Sequence, residues 1–176
     1  MSETPDGKIL DAHTVRFERL LPGPIERVWA YLTESDKRGQ WLAPGETEPR
    51  AGGKVEFHFR HADLTPHAEA TPEKYKQMEN GVSFTGTVTR YEPPHVLSYT
   101  WGEGPGDDVT FELTPRGNQV LLTVTDRRRD TKETAGAASG WHTHLGILDD
   151  RLNDRTPAPF WATHAKWEAE YAKRIQ

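Results

Sequence analysis

From Gly52 to Asp126 the apolar residues recur at every second position, and after a polar gap the chain changes to the period of a helix. Val55, Phe57 and Phe59 alternate with Glu56, His58 and Arg60, and Phe84, Gly86 and Val88 alternate with Thr85, Thr87 and Thr89. Leu97, Tyr99 and Trp101 follow Pro93-Pro94. Val109, Phe111 and Leu113 follow a Gly-rich loop, and Val120, Leu122 and Val124 follow Arg116-Gly117-Asn118. Side chains alternate faces along a strand, so these runs make strands with one apolar face, and the short turns make them antiparallel neighbours. An apolar sheet face must be covered. Trp141, Leu145, Leu148 and Leu152 form one helical stripe about three turns long, which makes this helix the natural cover. The expected class is therefore α+β, a curved antiparallel sheet wrapped around a long C-terminal helix. A twisted sheet curls around such a helix and leaves space at one end, expected beside two short helices that follow the first strand.

Those short helices lie in the first third of the chain. Residues 1–12 are polar, carry a Pro-Asp-Gly turn signal and read as a flexible N-terminus. From His13 to Leu20, Val15 and Phe17 face one way and Arg16 and Glu18 the other, giving a first strand that Pro22-Gly23-Pro24 ends. Pro24 suits the first helical position, and Ile25, Val28, Trp29 and Leu32 form an apolar stripe behind it. Ser35 is a candidate cap for a second helix ending near Trp41-Leu42. Residues 60–81 interrupt the meander with a long connection, a length that compact domains reserve for lids and flaps. Arg155 to Pro159 breaks the long helix, and Phe160, His164, Trp167 and Tyr171 mark another stripe beyond it. The organisation expected is a domain over 13–154, with 155–176 as an appended helix packed on the domain or at a dimer interface.

Charge and composition exclude several classes. A net charge of −5 repels a nucleic-acid backbone. No apolar run reaches membrane-spanning length, and the first twenty residues lack the apolar core of a secretion signal. The chain has no cysteine, which removes disulfides, thiol catalysis and thiolate metal sites and fits a reducing compartment, with the cytoplasm as the expected location. Arg127-Arg128-Arg129, beside Asp126 and Asp130, reads as a solvated loop. Gly102 to Gly106 joins two strands and is flanked by acids, unlike a phosphate cradle at a helix start. Gly136 to Gly140 lacks the preceding strand of a nucleophile elbow.

The inward aromatic set is Trp41, Phe57, Phe59, Phe84, Trp101, Phe111 and Trp141, joined from the long helix by Leu145 and Leu148. These residues either line a pocket for a flat apolar ligand or fill a core. Among the eight histidines, His142 and His144 point roughly 200° apart on a helix and cannot share an ion. His58, His61 and His67 lie on a strand end and loop without acidic or thiol partners, so no metal and no cofactor is expected. His164 reads as a packing residue of the last stripe. Asp126 extends the face of Val120, Leu122 and Val124, and His144 flanks the inward stripe, so these two are the candidates for acid–base catalysis.

Several stretches in order resemble the START-like (SRPBCC) helix-grip superfamily, in the branch of homologues of the Hsp90 ATPase activator. They are Val15 to Arg19, Pro24 to Trp29, Gln40-Trp41-Leu42, Gly52 to Phe57, Gly86-Thr87-Val88, Glu92 to Trp101 and Gly140 to Leu145, covering about 13–154. The resemblance implies an internal pocket for small hydrophobic molecules. Three functions are compatible with it: binding of a small hydrophobic or aromatic molecule as carrier, sensor or sequestering module, a cyclase- or hydrolase-type enzyme using the same cavity, and a co-chaperone-like interaction module. A homodimer through the last helix is compatible with each. The 60–81 insertion and the appended helix depart from the family pattern and can reshape the pocket. If the long helix seals the core, Leu145→Ala or Leu148→Ala costs about 2–5 kcal/mol in urea unfolding, whereas a cost near zero places the wrong helix over the sheet.

Overall fold

The computed structural model describes residues 7–175. Among the described residues, seven strands build one antiparallel sheet: β1 (Lys8–Ile9), β2 (Thr14–Pro22), β3 (Lys54–Phe59), β4 (Val82–Glu92), β5 (Val96–Thr100), β6 (Asp108–Arg116) and β7 (Gln119–Arg127). Their order is β1-β2-β7-β6-β5-β4-β3. The meander predicted from the period-two runs is therefore present, and it is extended at one side by the first strand. β2 pairs with β7 along its whole length, from Thr14 opposite Arg127 to Pro22 opposite Gln119. The register turns Val15, Phe17 and Leu21 of β2 to the same buried side as Val120, Leu122 and Val124 of β7.

The described residues add four α-helices to the sheet: α1 (Ile25–Thr33), α2 (Ser35–Arg38), α3 (Thr134–Leu152) and α4 (Phe160–Arg174). α3 lies on the apolar face against β2 and β7, and α4 packs on α3. Leu145 and Leu148 are fully buried there. The sheet curves around α3, which makes this an α+β helix-grip fold.

Four local expectations change. Residues 8 and 9 pair with Arg16 and Val15, and the Gly7 amide donates to the Tyr171 hydroxyl at 2.7 Å, so the chain is tied down from residue 7 onward. The rest of the expected flexible terminus, residues 1–6, lies outside the described residues. Pro24 stands just before α1 instead of inside it, and the second short helix stops at Arg38, well before Trp41-Leu42. Ser35 caps no helix, because its hydroxyl accepts from the Gly45 amide at 2.9 Å.

The reason α2 ends early is Arg38, whose guanidinium is buried and claims the following loop. It donates to the carbonyls of Ala43 (2.8 Å), Gly45 (2.9 Å) and Glu56 (2.6 Å) and to the Thr47 hydroxyl (2.8 Å). Its flat face lies 4.5 Å above the Phe57 ring centroid. The loop can approach that closely because residue 45 is glycine: its φ is +142°, and a Cβ there would fall 1.9 Å from the Glu56 carbonyl oxygen. Arg38→Ala strands these buried acceptors and is expected to lower stability by about 3 kcal/mol or more. Arg38→Lys recovers little of it, since one ammonium cannot fan donors over four oxygens. Urea midpoints of the two variants check this, and wild-type midpoints in both would overturn it.

Candidate ligand cavity

A cavity of about 400 Å³ opens where the ends of β3 and β4 face the N-terminal half of α3. Strand alternation supplies its sheet-side wall. Phe57 is registered opposite Phe84, and Phe59 opposite Val82, which places Phe59 and Phe84 in a stack with ring centroids 5.7 Å apart. Trp101, just past β5, stands edge-on to Trp141 of α3 at 5.3 Å. Phe59, Phe84, Trp101, Trp141 and His144 border the cavity. Trp41, Phe57, Phe111, Leu145 and Leu148 do not; they are sealed in the core. The Trp41 indole donates to the Tyr31 carbonyl at 2.7 Å, and Phe111 packs behind Trp141.

The opening also lies elsewhere than expected. Of the short-helix region only Leu42, in the loop after α2, reaches it. The remaining walls come from the two segments that interrupt the strand pattern, the 60–81 connection and α4. Phe160 and Trp161 begin α4 and flank His61, with centroids 4.7 and 4.9 Å from the imidazole. Tyr75, in a kinked 3-10 turn over Glu73–Met78, stacks on Trp161 at 5.1 Å. The connection is fastened to α4 by directed bonds. Both Glu69 carboxylate oxygens accept from the first amides of α4, Trp161 at 2.8 Å and Ala162 at 3.0 Å, so a distant side chain caps that helix. Farther along, Glu168 accepts from the Tyr75 hydroxyl at 2.5 Å and from Lys74 at 2.8 Å. His67 donates through Nε2 to the Pro157 carbonyl at 3.0 Å.

The polar groups divide into two ends. At one end, Asp126 is 1% exposed and both its oxygens are taken. Arg128 donates to them through Nε (2.9 Å) and Nη2 (3.0 Å), and the Trp141 indole donates to Oδ2 at 2.6 Å. Asp126 thus anchors the wall and does not itself border the cavity. The solvated-loop reading of Arg127 to Arg129 is corrected for the middle residue: Arg128 is 8% exposed and lines the cavity, while its two neighbours are exposed. Alternation at the end of β7 turns Asp126 inward, and the chain then bends, held by bonds between the backbone of Arg128 and His13. Burial pulls the guanidinium pKa down, but Asp126 more than compensates and holds it above the ordinary value.

At the other end, His144 donates through Nδ1 to the Trp41 carbonyl at 2.8 Å. Burial first, and the neighbouring imidazole of His61 second, push its pKa down to about 3. His61 is pushed down to about 4 by burial and then by His164, which burial also lowers. The His61 and His144 imidazoles are neutral at ordinary pH. Burial raises Glu168, but the bonds from Lys74 and Tyr75 outweigh it and the carboxyl titrates below its usual range. Burial and that same bond raise the Tyr75 phenol. The carboxylate and histidine considered for acid–base work, Asp126 and His144, are each bonded to other partners and not to each other. Among the described residues no group of three His, Asp or Glu side chains is placed to hold a metal ion, and no helix is long and apolar enough to cross a membrane. His142 is turned away, its Nδ1 bonded to the Tyr171 hydroxyl and its ring stacked on Trp167.

Of the cavity residues not expected to face inward, Tyr75 and Trp161 belong to irregular or appended segments with no periodic signal to aim them. The long 60–81 connection was the available cue.

The fold is shared with solved structures. A solution structure of the protein encoded by gene BPP1335 from Bordetella parapertussis is 46% identical, with a TM-score of 0.80 over 98% of this chain and 93% of that one. The crystal structure of CalU16 from Micromonospora echinospora is 16% identical, with a TM-score of 0.67 over 97% and 94%. DynU16, a protein of the dynemicin biosynthetic locus, is 22% identical, with a TM-score of 0.61 over 82% of this chain and 49% of that one. No curated protein matches by sequence. The sequence profile described as Activator of Hsp90 ATPase homolog 1-like protein matches residues 22–153, three quarters of the chain, and the chain belongs to that family.

Proposed function

We propose that this protein binds a small, flat, hydrophobic or aromatic molecule in the cavity between β3, β4, α3 and α4, as a carrier, sensor or sequestering protein of the cytoplasm. The observation that carries the reading is the aromatic-walled space itself. At about 400 Å³ it falls in the size range of small-molecule sites, and its walls combine apolar rings with a few placed polar groups. The similarity in fold to a protein of the dynemicin biosynthetic locus is consistent with small-molecule chemistry. An interaction module on the last helix calls for Trp161 or Trp167 at the surface; Trp161 is 8% exposed and packs into the cavity wall, and Trp167 is half-buried and stacked on His142.

Gly140 supplies a direct test. It borders the cavity on α3, and a Cβ built there meets nothing within 4 Å. Native mass spectrometry of the purified protein, before and after mild organic extraction, is expected to show a discrete mass that extraction removes. Gly140→Phe should occupy the space and abolish that mass while the protein stays folded. Gly140→Ala should raise stability by about 0.5–1 kcal/mol and keep it. A clean apo mass for the wild type, or a Phe variant that retains the ligand, would contradict the proposal.

A further inference from the structure

The two ends of the cavity differ in hydrogen-bonding sense, and that difference names a ligand class. His144 Nδ1 is bonded to the Trp41 carbonyl, and a carbonyl can only accept. The proton of the neutral ring therefore sits on Nδ1, and Nε2 presents a lone pair. No described residue donates to Nε2. The same end contains His61, whose Nδ1 is buried without a partner, so a second nitrogen there is short of a hydrogen-bonding neighbour. At the opposite end Arg128 spends Nε and Nη2 on Asp126 and leaves Nη1 without a partner among the described residues, on a side chain that lines the cavity. A guanidinium has no acceptor atom, so this end can only donate.

The space between them is built from rings. The Arg128 guanidinium carbon is 5.6 Å from the Trp101 centroid, Trp101 is 5.8 Å from Phe59, and Phe59 is 5.9 Å from His144. The path from the acceptor to the donor thus runs past two aromatic side chains, whose rings offer faces along which a fused-ring molecule can lie.

We infer that the cavity selects a hydroxylated polycyclic aromatic compound whose hydroxyl donates to Nε2 of His144 and whose carbonyl or carboxylate oxygen, at the far edge, accepts from Nη1 of Arg128. The inference rests on the binding function proposed above and adds polarity to it. Asp126 neutralises Arg128 locally, so a ketone oxygen can satisfy the site as well as a carboxylate.

The test is equilibrium titration of wild-type protein with four two-ring probes, followed by tryptophan fluorescence: 6-hydroxy-2-naphthoic acid, 6-methoxy-2-naphthoic acid, 2-naphthol and 2-methoxynaphthalene. The hydroxy acid is expected to bind tightest. Methylating its hydroxyl, or deleting its carboxylate, should each weaken binding about tenfold, as removing one partner of a desolvated hydrogen bond does. His144→Phe should erase the preference for hydroxy over methoxy and leave the carboxylate preference standing. Arg128→Gln should do the converse, and because the wild-type series stands alone, poor folding of that variant does not remove the test. Equal affinity for all four probes would overturn the polar assignment while leaving a binding cavity. Binding of none would overturn the binding proposal and this inference together.

Discussion

A single buried carboxylate joins the parts of this molecule that meet at the cavity. Asp126 closes the apolar face of β7, yet it carries charge into a place from which water is excluded. Such a charge is tolerated only when it is paired and fully hydrogen-bonded, and here one arginine and one indole complete the set. The two partners come from different elements. Arg128 belongs to the chain leaving the sheet and Trp141 to the helix that covers it. Satisfying the carboxylate therefore fixes the rotation of α3 over β7, and it orients the guanidinium and the indole that form the adjoining wall.

The opposite wall is assembled by a different logic. The 60–81 connection contributes little regular structure, and it holds its place by bonding the N-terminus and one flank of α4. Neither piece would present its aromatic side chains correctly alone. α4 begins at Phe160 without a capping side chain of its own, and Glu69 supplies acceptors for two of its unpaired amides. The cavity is thus bounded on one side by the sheet and its covering helix and on the other by the 60–81 connection and α4.

This division explains what the sequence disclosed. Strand alternation and the stripe of Trp141, Leu145, Leu148 and Leu152 revealed the grip, because burial of one face leaves a periodic trace in the residues themselves. Phe59, Phe84, Trp101 and Trp141 were legible as inward, and they border the cavity. Periodicity, however, reports which face a residue occupies and not how deep it lies, so Phe57 and Phe111 looked equivalent to them and are buried beneath the wall. Arg38 and Arg128 were illegible for another reason. Both are buried by partners distant in space or by backbone acceptors, and a basic residue beside acids reads identically whether solvent or protein surrounds it. His61, Tyr75 and Trp161 depend on the docking of two irregular segments, which no local pattern encodes.

The pairing of β2 with β7 carries a consequence for how the chain is made. β2 leaves the ribosome well before β7, and apart from the two-residue β1 every one of its ladder partners lies beyond residue 118. At ordinary synthesis rates of about 5–20 residues per second, that strand waits on the order of 5–20 s for its neighbour. During the wait Val15, Phe17 and Leu21 have no sheet to enter, and α3, the helix that will cover them, is made later still. The newborn chain therefore passes through an interval in which an unpaired apolar strand is exposed, and protection of that strand during translation becomes a requirement set by topology alone.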